Sequence, residues 1–204
     1  MKVLLMRDYL LKAYRLLTPT LIRDFIYLLR HPEERYYKRV LKESRKVVKR
    51  AIITSAKRRD IQSPIFEIGA GGTYNKEIYL KSYGEHKYWI SNIDRSQVEN
   101  GIDLVCDGRW LPLRDKSVGT IVCSEVLEHV AETEFIVAEI SRVLIDGGIG
   151  VITTPFYFPL HEFPRDYYRF TPDGLRHIFR RFSSVGCYHG NGIKPSNILT
   201  ILKK

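Results

Sequence analysis

Short apolar runs alternate with helix-compatible stretches through most of this chain. Residues 64–69, 88–94, Gly101–Asp107, Gly119–Ser124 and 148–154 read as five short strands, and Ser184–His189 as a sixth. Ile198–Leu202 is the candidate for a seventh, antiparallel strand; without it the sheet has six. A short helix is expected from Tyr74. A longer one is expected over 131–145, with Phe135, Ala138, Val143 and Leu144 apolar and Glu132, Glu134 and Glu139 polar. Thr171-Pro172-Asp173 opens a last helix, over 172–182. Strands alternating with helices predict an α/β fold with a doubly wound, mostly parallel sheet, whose ligands sit outside the carboxyl ends of the strands.

The first 62 residues follow a different pattern. At 100° per residue, Val3, Met6, Tyr9, Leu10, Ala13, Tyr14 and Leu17 share one helix face, with Arg7, Asp8, Lys12 and Arg15 opposite. Thr18-Pro19 starts a second helix over 19–30, which His31-Pro32 ends. A third, over 33–56, carries an apolar stripe of Tyr36, Val40, Leu41, Val47, Val48, Ala51 and Ile52. Its other faces are rich in lysine and arginine. Ser63-Pro64 marks the boundary between this helical segment, 1–62, and an α/β domain, 63–204.

Charge sharpens that division. Residues 1–62 hold 17 Lys and Arg against 6 Asp and Glu, a net +11, whereas residues 63–204 carry −1. The asymmetry fits an anionic membrane surface or RNA meeting residues 1–62, and equally a solvated helix face or a lid over the domain. Charges interrupt both early apolar runs, so neither is expected to span a membrane, and no signal peptide is read. Cys106, Cys123 and Cys187 lie in or beside apolar runs without metal-ligand spacing, as reduced cysteines of a cytoplasmic protein do. The expected location is therefore cytoplasmic, with the basic helices the means of any peripheral membrane contact.

The candidate chemistry begins where the first strand runs into Gly69-Ala70-Gly71-Gly72. Glycines there allow a sharp turn and a close backbone approach to a ligand. A dinucleotide fingerprint is excluded, because the position five after Gly69 is Tyr74 rather than glycine. A phosphate-binding Walker loop is excluded too, since no Gly-Lys-Ser/Thr follows. Glu67 would repel a pyrophosphate but suits an ammonium or sulfonium group. Asp94, ending the second strand, can accept both hydroxyls of a ribose. Together these residues suit a nucleoside without phosphates.

Five ordered blocks carry a family resemblance over residues 63–182. Glu67-Ile68-Gly69-Ala70-Gly71 resembles motif I of the class I S-adenosylmethionine-dependent methyltransferases, and Asp94 stands at their ribose-binding acid. Asp107-Gly108-Arg109-Trp110-Leu111-Pro112-Leu113 is similar to the segment in which an Asp reads the adenine amino group. Val122–Val130 resembles the fourth-strand block of the small-molecule, ubiquinone-biosynthesis-like (type 11-like) subfamily. Arg142–Gly148 with Val151–Pro155 resembles its helix, glycine turn and fifth strand.

The resemblance implies a Rossmann-like methyltransferase sheet and S-adenosylmethionine as methyl donor, with S-adenosylhomocysteine as product. It implies a cofactor set of Glu67, Gly69, Ala70, Gly71, Asp94, Arg95, Asp107, Gly108 and Ser124. Glu67 and the glycine backbone would take the methionine part, Asp94 the ribose and Asp107 the adenine. Arg95 and Gly108 would flank the nucleoside.

Methyl transfer from a sulfonium needs mainly alignment, and an oxygen acceptor benefits from a nearby base. His161, His129 and Asp166 are the candidate bases. Ser124-Glu125-Val126-Leu127 replaces the Asn/Asp-Pro-Pro-Tyr motif expected for methylating base amines, which excludes that reaction. Glu125, Glu128 and His129 have metal-compatible spacing, with His161 as a fourth donor, and some similar ubiquinone-type and small-RNA 3′-end O-methyltransferases use a divalent cation. The expectation is nonetheless a metal-free site. The Asp166–Thr171 block resembles methyltransferases associated with cell-surface polysaccharides. The expected acceptor is an oxygen of a small molecule, glycan or lipid head group. RNA is the alternative, and a catalytically silent partner subunit a third reading.

Overall fold

The computed structural model describes residues 31–70, 81–161, 165–189 and 195–204. The helices expected at 3–17, at 19–30 and from Tyr74 lie outside these residues. The chain divides into two compact units, 1–42 and 43–204.

Helix α1 spans Pro32–Ala56, with Glu33 and Glu34 in its first turn, where acidic side chains favour the helix dipole. Its buried residues are Ser44, Ala51, Ile52 and Ser55. Tyr36, expected on the apolar stripe, is exposed. Within the second unit Ile52 is fully enclosed, with Val48 and Ala56 packed beside it. Ile52→Ala would cost about 2–5 kcal/mol.

The strands are β1 (Ile65–Ile68), β2 (Tyr88–Asn92), β3 (Leu104–Val105), β4 (Val118–Ser124), β5 (Leu144–Pro155), β6 (Ser184–His189) and β7 (Asn197–Lys203). They form one seven-stranded sheet in the order β3-β2-β1-β4-β5-β7-β6. The pairs β1–β2, β1–β4, β2–β3 and β4–β5 are parallel. β7 runs antiparallel to both neighbours, so Ile198–Leu202 does supply the seventh strand.

Alternate residues of the central strands enter two apolar clusters, one on each face. Phe66, Ile121, Cys123 and Ile152 belong to one; Ile65, Val122 and Val151 belong to the other. Helices α2 (Thr133–Val143) and α3 (Pro172–Ile178) pack in the first cluster through Ile136, Val137, Ile140 and Leu175. Thr171 caps α3 by accepting from Gly174 N–H, with Pro172 at the first turn, as its sequence signal implies.

Several boundaries differ from expectation, and α3 ends at Ile178 rather than at 182. The helix expected over 131–145 stops at Val143, and β5 begins at once at Leu144. The third strand shrinks from Gly101–Asp107 to two residues because the Asp103 carboxylate accepts from Ile90 N–H at 2.9 Å. A side chain thus takes a ladder donor that the strand would have used. The three cysteines are free, and Cys123 is fully buried. Among the described residues no helix is long and apolar enough to cross a membrane.

Candidate functional site

The loop after β1 is held open by a left-handed residue. Gly69 has φ +77°, and a Cβ there would stand 2.4 Å from Val126 Cγ2. The Ala70 N–H donates to the Ser91 carbonyl, and the Asn92 amide donates to the Ala70 carbonyl, both at 2.8 Å. The end of β2 therefore fixes the turn. Gly71 lies outside the described residues.

Glu67 is buried within β1, and its Oε2 accepts from Tyr88 Oη at 2.6 Å. Burial pushes its carboxyl up to about 7 against the opposing Tyr88 bond. Tyr83 Oη, buried nearby, has no partner among the described residues. Neither tyrosine is singled out by the sequence reading; an apolar run ending beside a buried acid was the available signal.

Asp94 caps the 3₁₀ helix Arg95–Asn100, accepting from Ser96 N–H at 2.9 Å and Ser96 Oγ at 2.8 Å. Those bonds hold its carboxyl below the usual range. An ionised carboxylate has about four acceptor positions, so capacity for a sugar remains. Arg95 lines a cleft of about 690 Å³ with Ser96, Val98, Glu99 and Val105, and no other site candidate borders it.

Asp107 is engaged on both oxygens by Arg109, which also donates to Glu132 at 2.7 Å. The Arg109 bonds lower its carboxyl. Gly108 is wedged between Ile68 and Ile136, each 2.9 Å from where a Cβ would be. At the end of β4, Ser124 Oγ and Thr153 Oγ1 are 2.7 Å apart.

Beyond Ser124 the chain turns sharply. Glu125 takes φ +53°, a strained conformation for a non-glycine residue, and its N–H donates to the Thr153 carbonyl. The turn Leu127–His129 then delivers Glu128 and His129. The segment after β5 returns to this turn and brings together all three candidate bases. His161 Nε2 lies 3.2 Å from His129 Nε2, with the rings edge to face. His161 N–H donates to Asp166 Oδ2 at 3.0 Å, and His161 Nδ1 is 3.2 Å from that same oxygen.

Arg169 supports the return as a clamp. It grips Asp166 with two nitrogens and donates to the Phe158 and Pro159 carbonyls. Asp166 is accordingly held down to about 2, chiefly by the Arg169 bonds. Desolvation lowers His161. Glu128 is fully buried and shifted well upward by that burial and by Glu125, itself raised by burial to about 7.

One feature of the polar groups is concentrated here. Buried side-chain atoms without a hydrogen-bond partner among the described residues are Glu125 Oε1, both Glu128 oxygens, Thr154 Oγ1, His161 Nδ1, Asn197 Oδ1 and the separate Tyr83 Oη. All but the last come from the ends of β4, β5 and β7 and the adjoining turns. Leaving such a group unsatisfied costs about 1–3 kcal/mol, so these atoms are where an ordered water or a ligand would find partners. Asn197, which donates to Glu125 Oε2 at 2.8 Å, is a neighbour of these groups that the sequence reading did not name.

A sheet in this order, reversed only at β7 and carrying a glycine turn at β1 and a carboxylate just beyond β2, defines the class I methyltransferase fold. A methyltransferase domain family of type 11 matches residues 66–152, and this part of the chain is a class I S-adenosylmethionine-dependent methyltransferase domain, type 11-like. S-adenosylmethionine is accordingly the methyl donor.

Solved structures show the same fold. An S-adenosylmethionine-dependent methyltransferase from Archaeoglobus fulgidus is 15% identical, TM-score 0.64, over 78% of this chain and 94% of that one. A Thermotoga maritima S-adenosylmethionine-dependent methyltransferase, described as a possible histamine N-methyltransferase, is 17% identical, TM-score 0.57, over 82% and 98%. A Haloferax volcanii methyltransferase in complex with the Trm112 activator is 16% identical, TM-score 0.57, over 79% and 93%. No curated protein matches the sequence.

Proposed function

We propose that this protein transfers the methyl group of S-adenosylmethionine to an oxygen of a small molecule, glycan or lipid head group. The observation that carries the reading is the contact between donor loop and acceptor cluster. Val126 packs on Gly69, and the turn bearing Val126 also carries Glu128 and His129. An acceptor held by the cluster is thereby set beside the loop that takes the donor.

The residues fit the donor: Gly69 leaves the turn bare of side chain, and Asp94 keeps an acceptor position on Oδ1 for a ribose hydroxyl. In this reading Glu67, Gly69, Ala70 and Gly71 form the methionine end, with the buried Glu67 carboxyl beneath the turn. Asp94, Arg95 and Gly108 hold the nucleoside. Asp107 joins them when Arg109 shifts to Glu132, which it already contacts. Ser124 closes the floor with Thr153. S-adenosylmethionine supplies an activated methyl carbon; the chain aligns it, excludes water and takes the acceptor proton at His129 or His161. Such a base contributes about 10²–10⁴-fold.

Labelled-methyl incorporation tests this reading. Transfer to glycans or lipid head groups, with turnover reduced about 100-fold in His161→Gln and donor affinity unchanged, supports it. Donor binding without transfer to any acceptor replaces it with the silent-subunit reading.

A second reading has its own observation. Arg45, Lys46, Lys49 and Arg50 of α1 are all exposed. They give the segment 1–62 the means to meet an anionic membrane surface or RNA, and methyl transfer to RNA with steeply salt-dependent binding would favour that acceptor.

A further inference from the structure

The exposed side of α1 carries one sign of charge without interruption. Arg45, Lys46, Lys49 and Arg50, in the second unit, are all exposed. At 100° per residue they fall within an arc of about 140°. The helix continues the same arc through Arg35, Lys38, Arg39 and Lys42, again all exposed. Between Arg35 and Arg50 every residue inside the arc is a lysine or arginine, and the row runs for about 22 Å. Buried Ser44, Ala51 and Ser55 lie on the opposite side, and Val48, Ile52 and Ala56 join the apolar cluster on one face of the sheet. The cations of the second unit therefore face away from the sheet.

Such a row works against the helix that bears it. Like charges four apart repel, as in Arg35 with Arg39, Lys42 with Lys46, and Arg45 with Lys49. A face built only for water mixes signs, because Glu and Lys at that spacing stabilise a helix. Here the ion pair found among the described residues joins Lys46 to Glu43, on the margin of the arc. Residues 1–30 are a poor source of counter-charge, since they hold six Lys and Arg against two Asp. The row calls for an anionic surface from outside the chain.

We infer that this face of α1 is a docking surface for an anionic lipid bilayer. RNA asks for more than positive charge. Single strands are held by stacking on aromatic rings, and Tyr36, the exposed aromatic residue of α1, falls outside the arc. Duplex RNA is recognised across its minor groove through 2′-hydroxyls, and the arc holds no Ser, Thr, Asn or Gln between Arg35 and Arg50. A plane of anionic head groups needs only a straight, broad front of cations on long stems, which is what these residues form.

The contact is adsorption rather than insertion, because no apolar side chain lies in the arc between Arg35 and Arg50. The inference commits the second reading above to lipid. It rests on the proposed function only for what the adsorbed protein would methylate, a head group in the plane on which it sits.

The test is flotation of the full chain with vesicles, without S-adenosylmethionine. Expected is binding to equal parts phosphatidylcholine and phosphatidylglycerol, and none to phosphatidylcholine alone. Raising salt from about 0.1 to 1 M, which shortens the screening length from about 10 to 3 Å, should release the protein. Arg45→Gln/Lys46→Gln/Lys49→Gln/Arg50→Gln should bind at least 30-fold more weakly, each cation at such a surface adding about fivefold. All four positions are exposed and glutamine suits a helix, so melting temperature and donor binding should match the parent. Removing four other exposed cations, Lys81, Lys87, Arg114 and Arg176, in the same way should leave vesicle binding within about threefold. Absence of vesicle binding, equal loss in both variants, or no loss in the first overturns the inference. So does tighter binding of duplex or single-stranded RNA than of vesicles at the same salt. Because adsorption is read without the donor, vesicle binding in a protein that transfers no methyl group leaves the surface standing and removes only its proposed use.

Discussion

Val126 occupies the space that any side chain on Gly69 would need: its Cγ2 is 2.4 Å from the Cβ position of that glycine. The donor loop and the first turn after β4 are thus in contact through a residue that cannot grow. Gly69→Ala adds both a clash and a left-handed alanine, together costing about 3 kcal/mol. The expected result is a lower melting temperature and at least tenfold weaker S-adenosylmethionine binding by calorimetry. In Gly69→Ala/Val126→Ala the clash is relieved but the backbone strain stays, so part of the affinity should return. If the double variant binds no better than the single one, the steric account fails.

Asp94 serves the fold and, in our reading, the ribose. The two roles separate by substitution. Asp94→Asn keeps an oxygen able to cap Ser96 N–H, whereas Asp94→Ala removes it. Asp94→Ala should cut donor affinity at least tenfold with some loss of stability. Asp94→Asn should lose affinity while melting close to the parent. Unchanged calorimetric binding in both would refute the ribose assignment.

Glu67 makes stability depend on pH. Its folded carboxyl is raised by burial to about 7, so its contribution is fully present below the ordinary value near 4.5 and is lost as pH rises through about 7. The loss is on the order of 3 kcal/mol. Glu67→Gln retains an acceptor for Tyr88 Oη without the charge. Melting temperatures from pH 5 to 8 should therefore fall less steeply in the variant. Parallel curves for the two proteins would contradict this.

Arg169 holds the segment after β5 by its double grip on Asp166 and its bonds to the Phe158 and Pro159 carbonyls. Arg169→Lys loses the paired geometry. A stability cost of about 2–3 kcal/mol is expected for breaking this largely buried pair. Turnover should fall while donor affinity holds, because the affected groups are His161 and Asp166 rather than the Gly69 loop. Loss of donor binding instead would show that the segment also shapes the donor pocket.

The strands were readable because each is a short run of apolar residues whose alternate members must reach two covered faces. Ile65 and Phe66 enter opposite clusters, as do Val151 and Ile152. Thr171-Pro172 announced α3 through a capping bond made within four residues. The turn at Gly69 was equally legible, since left-handed backbone selects glycine locally. Asp103 shows the limit: its carboxylate replaces a strand hydrogen bond 13 residues away, and nothing in its neighbours signals that.

The candidate site divides in the same way. The sequence alone determined the order of strands and helices, the glycine bend and the carboxylate beyond β2, because those depend on periodicity and backbone conformation over a few residues. Only the tertiary structure decided that His161 meets His129, that Arg109 claims Asp107, that Tyr88 claims Glu67, and that Glu128 is enclosed without a hydrogen-bond partner among the described residues. Those outcomes depend on which long side chains converge when distant segments pack, and on how far water is excluded where they meet.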